Sequence, residues 1–271
     1  MIKPNEISKT ANTLGLRETQ VEKDYVIGWV LKGISNNEYL KKRLVFKGGT
    51  ALRKIHFPDY RLSEDLDFTF TGNDFNQKDI DTQFDETIKW IQNESRISIS
   101  IQDKTIHQTG NYSFNLFYTG PLGGKGANKS IKVDIATDEI LLTAPEELPV
   151  NNKYTDLEDK FCIFSYTIEE IIAEKMRSLM QRTTPRDIYD LWYLFEEENC
   201  NVKDYINTFN EKAKLKKLNP PEFTAKVEQK KEIFRKQWNS SLVNQVKVVP
   251  DFEKVWRLLN KHWRTLDKVN K

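Results

Sequence analysis

The stretch 44–70 constrains this 271-residue chain more than any other. It opens with Leu44-Val-Phe-Lys and breaks at Gly48-Gly49; Thr50-Ala-Leu-Arg-Lys-Ile then has helical character. A strand, two glycines and a helix start let backbone approach an anion, because glycine carries no Cβ and the first helical N–H groups lack partners. Such a turn alone is weak, since glycine also serves plain tight packing. Further on, Leu66, Phe68 and Phe70 alternate with Asp65, Asp67 and Thr69, which is a period-two strand with one apolar and one polar face. The spacing predicts that Asp65 and Asp67 point the same way with Cα atoms about 6.5 Å apart. Two carboxylates so placed can converge on one or two Mg²⁺ ions. Like charges on one face repel unless something positive sits between them.

A second strand, Ile131-Lys-Val-Asp-Ile, turns Ile131, Val133 and Ile135 to one side and Lys132 and Asp134 to the other. If it neighbours the first, Asp134 becomes a third carboxylate, able to bind metal or to accept the proton of an attacking hydroxyl. The glycine-rich segment 120–128 lacks the Gly-Lys-Ser/Thr ending of a P-loop and no helix follows it, so it reads as a hairpin loop. Helices are expected over 7–40 and about 78–93, a loop near Lys41-Lys42-Arg43, strands at 97–101 and 112–118, and an exit from the sheet at Pro145 and Pro149.

From Tyr166 the pattern is helical. Thr167 is a candidate N-cap with Glu170 at capping-box spacing. Lys175 interrupts the apolar stripe of Ile168, Ile171, Ile172, Met176 and Leu179, so it either snorkels outward or faces a buried anion, a triphosphate or a carboxylate cluster. Thr184 and Pro185 mark another helix start. Asp187 can help cap it, or join Arg182 and Arg186 in a charged cluster that positions Lys175 or contacts nucleotide; Asp190 reads as structural.

Composition narrows the function classes. No run of about 18 apolar residues predicts a membrane span, and the first residues lack the apolar core of a signal peptide. Two cysteines, Cys162 and Cys200, make neither a disulfide framework nor a zinc site, and three scattered histidines make no ligand set. A reducing cytoplasm is the expected location. The net charge of +2 conceals an asymmetry: residues 212–271 hold sixteen Lys and Arg against six Asp and Glu. That quarter is a candidate polyanion surface, or simply a solvated helical face. Trp238, Phe252, Trp256, Leu259 and Trp263 within it read as core packing rather than stacking platforms.

Taken together, Glu22-Lys-Asp, Gly48-Gly-Thr-Ala-Leu, Ser63-Glu-Asp-Leu-Asp-Phe, Ile131-Lys-Val-Asp-Ile, Glu174-Lys175 and Arg186-Asp-Ile-Tyr-Asp-Leu resemble the AbiEii/AbiGii toxin family. These are nucleotidyltransferase-fold toxins of abortive-infection, type IV-like toxin–antitoxin systems, and the mycobacterial MenT toxins are similar. The motifs run in the family's order as far as Leu194; nothing after Asn201 matches. The resemblance implies an α+β fold. A polymerase-beta-like mixed sheet with flanking helices would occupy 1–150, and a helical bundle completing the active site would occupy 151–271. It implies NTP and Mg²⁺ as ligands, with Gly48, Gly49 and Ser63 holding the triphosphate; Lys175, Arg182 and Arg186 are the candidate nucleotide contacts of the charged helical cluster. Asp65 and Asp67 would bind metal, Asp134 matches the third acidic position, and Lys175 and Asp187 match the C-terminal motifs. Some relatives extend the 3′ end of tRNA and stop translation, and the partner antitoxin is often a DNA-binding repressor.

Three functions are therefore expected in turn: nucleotide transfer to RNA, probed through the tRNA 3′ end; the same transfer to a small molecule or protein side chain; and nucleotide or partner binding without catalysis. The presence of all three carboxylates and both glycines counts against the last.

Overall fold

A computed structural model describes residues 1–124 and 129–269. Two compact units are present: Met1–Glu139 with Pro145–Tyr166, and Ile140–Ala144 with Thr167–Lys271. The strand Cys162–Ser165, past residue 150, pairs into the sheet and lies in the first unit.

The first unit begins with three helices, α1 (Pro4–Leu14), α2 (Glu18–Asn36) and α3 (Glu38–Arg43). The loop expected at Lys41–Arg43 is instead the last turn of α3. Asn37 explains this: its side chain accepts the Tyr39 and Leu40 N–H groups, so a new helix starts at once, and three cations at its end suit the helix dipole. Next come β1 (Leu44–Lys47), α4 (Gly48–Ala51) widening into a π-turn over Leu52–His56, β2 (Leu66–Phe70) and α5 (Gln77–Ser95). The remaining strands are β3 (Ser98–Ile106), β4 (Tyr112–Thr119), β5 (Ser130–Ala136), β6 (Glu146–Pro149) and β7 (Cys162–Ser165).

Among the described residues these make one seven-stranded mixed sheet of order β3-β4-β5-β2-β1-β7-β6. The central pairings are β1 antiparallel to β2 and β2 parallel to β5. β4 and β5 are antiparallel, as a hairpin requires, while residues 125–128 of the predicted hairpin loop lie outside the described residues. Pro149 does not mark an exit from the sheet: it closes β6, an edge strand, where a missing N–H is tolerated. The alternation in β2 and β5 is realised. Leu66, Phe68, Ile131, Val133 and Ile135 are buried, and the Phe46 and Phe68 rings pack 5.3 Å apart.

The second unit is helical: α6 (Ile168–Gln181), α7 (Pro185–Trp192), α8 (Ile206–Leu215), α9 (Phe223–Glu228), α10 (Lys231–Leu242) and α11 (Phe252–Val269). Thr167 caps α6 by accepting the Glu170 N–H. The capping-box return from Glu170 is replaced by another task. Its buried carboxylate accepts from the Leu142 and Thr143 N–H groups and from Lys212 Nζ, and this fastens 140–144 to the unit. Trp238, Phe252, Trp256, Leu259 and Trp263 are all buried, as core packing predicts; Trp263 meets Phe223 edge-on at 5.0 Å.

Candidate active site

The site residues of the first unit sit where β1, β2 and β5 lie side by side in the middle of the sheet. Register places Lys47 opposite Asp67, Asp67 beside Asp134, and Asp134 opposite Ser113 of β4. Partners in register share a face, so one row of side chains crosses four strands as cation, anion, anion and hydroxyl. Lys47 is the positive group that two neighbouring carboxylates require. A lysine closing an otherwise apolar four-residue strand was its signal in the sequence. Lys132 Nζ also reaches Asp134 at 2.8 Å, two residues along the same face. Thr69, next along that face of β2, shares a 2.5 Å hydrogen bond with the buried Tyr166 hydroxyl, whose ring lies 5.6 Å from Lys47 Nζ.

The glycine turn closes against this row. Gly48 has φ +80°, and a Cβ there would fall 2.5 Å from Asp67 Oδ2. Conformation and space both demand glycine, so the α-carbon lies directly on the carboxylate. A Cβ on Gly49 would meet Arg61 Nη2 at 2.6 Å and Ser63 Oγ at 3.3 Å. The backbone that begins α4 thus has a carboxylate on one side, and a guanidinium and a hydroxyl on the other. Arg61 was not legible as a site residue; only its nearness to Ser63 in sequence hinted at it. Gly48→Ala should lower nucleotide transfer by about a hundredfold or more, since roughly 1–2 kcal/mol of backbone strain adds to displacement of Asp67. Steady-state kinetics on the folded variant checks this.

Asp65 precedes β2, and its carbonyl accepts the Thr50 hydroxyl, which ties the turn to the strand entry. Among the described residues no group of three or more His, Cys, Asp and Glu is set to hold a metal ion. Asp67 and Asp134 are strand neighbours, whereas Asp65 lies outside the ladder. The hard oxygen donors still fit Mg²⁺, which is usually held by one or two carboxylates together with substrate phosphates rather than by an all-protein cage.

Glu22, Lys23 and Asp24 brace this arrangement from α2. Glu22 is fully buried, accepts the Leu122 N–H at 2.7 Å and pairs with Lys129, so it holds both ends of the hairpin loop. Lys23 pairs with Glu64 at 3.0 Å, beside Ser63. Asp24 binds Arg53 at 3.1 Å, Lys54 at 2.8 Å and the Tyr154 hydroxyl at 2.8 Å. Burial disfavours its charge, yet the Lys54 and Arg53 cations and these hydrogen bonds hold its carboxyl well below the usual range. A cavity of about 860 Å³ lies on this side, lined by α1, Asp24, Arg53, Lys54, Asn151 and 153–156 among others; it contains none of the predicted site residues.

Lys175, Arg182, Arg186 and Asp187 belong to the second unit. Lys175 faces a buried anion, as its place in an apolar stripe suggested, and the anion is a pair of carboxylates: Asp187 at 3.2 Å and Asp190 at 2.5 Å. Arg182 also pairs with Asp187, at 3.1 Å. Asp187 is engaged in these ion pairs, and the Thr184 side chain makes no cap hydrogen bond, although Pro185 opens α7 as expected. Arg186 is half-buried on the first turn of α7. Removing Lys175 leaves two buried carboxylates facing each other, so Lys175→Ala should destabilise this unit by about 3–5 kcal/mol. Chemical denaturation checks it, and an unshifted midpoint alongside lost transfer would assign Lys175 to chemistry instead.

No helix among the described residues is long and apolar enough to cross a membrane. The fold is similar to that of MenT4, a nucleotidyltransferase toxin from Mycobacterium tuberculosis, with a TM-score of 0.59 at 16% identity over 97% of this chain and 89% of that one. It is also similar to JHP933 from Helicobacter pylori, with a TM-score of 0.56 at 17% identity over 94% of each chain. A comparison with curated protein sequences gives no match. The family model described as the nucleotidyl transferase AbiEii toxin of type IV toxin–antitoxin systems matches residues 29–263. That span takes in the glycine turn, the Asp67–Asp134 row and the Lys175 cluster, and the chain belongs to this family of nucleotidyltransferase toxins.

Proposed function

We propose that the chain moves a nucleoside monophosphate from an NTP to an RNA hydroxyl, at the 3′ end of tRNA, and so blocks translation. The observation that carries the reading is the Lys47–Asp67–Asp134 row with the Gly48 α-carbon against the Asp67 carboxylate. Gly48 and Gly49 let the triphosphate lie on backbone, and Arg61 and Ser63 supply a guanidinium and a hydroxyl for its oxygens. Mg²⁺ held by Asp67 and Asp134, with Asp65 close in sequence, would neutralise charge at the α-phosphate. Asp134 accepts the proton of the acceptor hydroxyl as that oxygen bonds to α-phosphorus. The bond from α-phosphorus to the bridging oxygen breaks, and its electron pair leaves with pyrophosphate. Lys47 offsets the negative charge of the row. In this reading the protein works in the cytoplasm and is restrained by a cognate antitoxin that is a DNA-binding repressor.

The test is to incubate α-labelled NTP and Mg²⁺ with separate RNA, protein and small-molecule fractions. Label entering RNA supports the reading. Label confined to a protein or small-molecule fraction overturns the acceptor, and tight nucleotide binding without transfer to any fraction overturns catalysis.

A further inference from the structure

On α11, Lys254, Arg257, Lys261, Arg264 and Lys268 recur at intervals of three and four residues and are all exposed. That spacing keeps them on one helix face over about 21 Å at 1.5 Å rise per residue. The opposite face, Val255, Trp256, Leu259, Trp263 and Leu266, is buried, so the rotation of α11 is fixed and the cations cannot turn inward. None of the five pairs with a carboxylate among the described residues. The two acids of the helix are engaged elsewhere: Glu253 with Lys231 at 3.0 Å, and Asp267 with the Thr224 hydroxyl at 2.7 Å. A cavity of about 270 Å³ opens on the stripe between α10 and α11, lined by Lys231 with its partner Glu253, and by Arg257, Asn260, Lys261 and Arg264 among others.

We infer that this face binds the sugar-phosphate backbone of the RNA acceptor. The inference rests on the proposed transfer to RNA and names the surface that holds the acceptor. A regular row of solvated cations matches a polymer with regularly repeated anions, and a cavity with several donors accommodates one phosphate group. An acidic protein partner fits less well. Protein interfaces centre on aromatic and aliphatic anchors and are depleted in lysine, and no large apolar side chain is exposed between residues 254 and 268. Such contacts carry charge without base edges, so they position RNA and do not read its sequence.

The test replaces all five residues with glutamine, which keeps the buried face and helix propensity. Circular dichroism confirms folding of the variant. Binding of total tRNA is then measured against salt concentration, and KM is measured separately for RNA and NTP. The expected result is a salt dependence of log K shallower by about 0.7–0.9 for each contacting residue. The KM for RNA should rise about tenfold or more, with KM for NTP unchanged. If wild type labels RNA and the variant does so with the same KM and salt slope, the inference fails and the transfer reading stands. If wild type neither binds nor labels RNA, both fail. Wild-type binding to an acidic protein that the five substitutions abolish, with RNA affinity unaltered, also overturns the inference.

Discussion

Asp67→Asn should reduce nucleotide transfer by about a thousandfold, roughly 4 kcal/mol of transition-state stabilisation, while leaving the fold intact. Asparagine keeps the shape and one carbonyl oxygen beside Gly48, so the glycine turn has no reason to move. What disappears is the negative charge at the centre of the row. Stability should stay within about 1 kcal/mol of wild type, because relief of the Asp67–Asp134 repulsion offsets the weaker attraction to Lys47. Transfer assays paired with thermal melts check both halves. A large fall in melting temperature would recast Asp67 as a structural residue, and retained transfer would remove it from the chemistry.

Asp24→Ala should have the opposite signature, a loss of fold first. Asp24 is 4% exposed and shares its carboxylate between Arg53 and Lys54, with Tyr154 completing the cluster. Its removal leaves two buried cations without their anion, which costs about 3–5 kcal/mol. A chain of this size should then melt on the order of 10 °C lower. Lys54 would be expected to lose its proton, since burial already draws its pKa down against the pull of Asp24. The same cluster sets an acid limit. A carboxyl depressed on folding stabilises the protein above its unfolded pKa, about 3.9, and that stability drains as pH falls from there through the folded value. Wild type should therefore lose stability below about pH 4 more steeply than Asp24→Ala. Equal slopes in urea melts from pH 2 to 5 would contradict this origin.

Local periodicity carried much of the fold. The alternation around Asp67 and Asp134 read correctly as two strands, and Pro185 opened α7 as expected. Where it misled, a longer-range or less conspicuous contact was responsible. The Lys41–Arg43 run reads as a loop because its charge is conspicuous, whereas the Asn37 cap that makes it helical is the contact of a single side chain. Pro149 looked like an exit because its place on a sheet edge depends on strand order, which sequence does not print. The site divides the same way. Gly48 and Asp67 were legible, but their contact was not. Lys47 and Arg61 were hidden because their roles come from register and from a chain reversal rather than from a motif. Asp65 directly precedes β2, and its carbonyl accepts the Thr50 hydroxyl, a contact that spacing alone does not show. Glu22, Lys23 and Asp24 stood in the family motif without an assigned task, and the structure gives each one a partner beside the site.

The most direct test of transfer to an RNA end is to sequence the 3′ ends of tRNAs after incubation with the chain, Mg²⁺ and NTPs, with Asp67→Asn alongside. Nucleotides added beyond the mature 3′ end by wild type and absent with Asp67→Asn are the predicted result; unextended ends with wild type, or equal extension by both proteins, would contradict it.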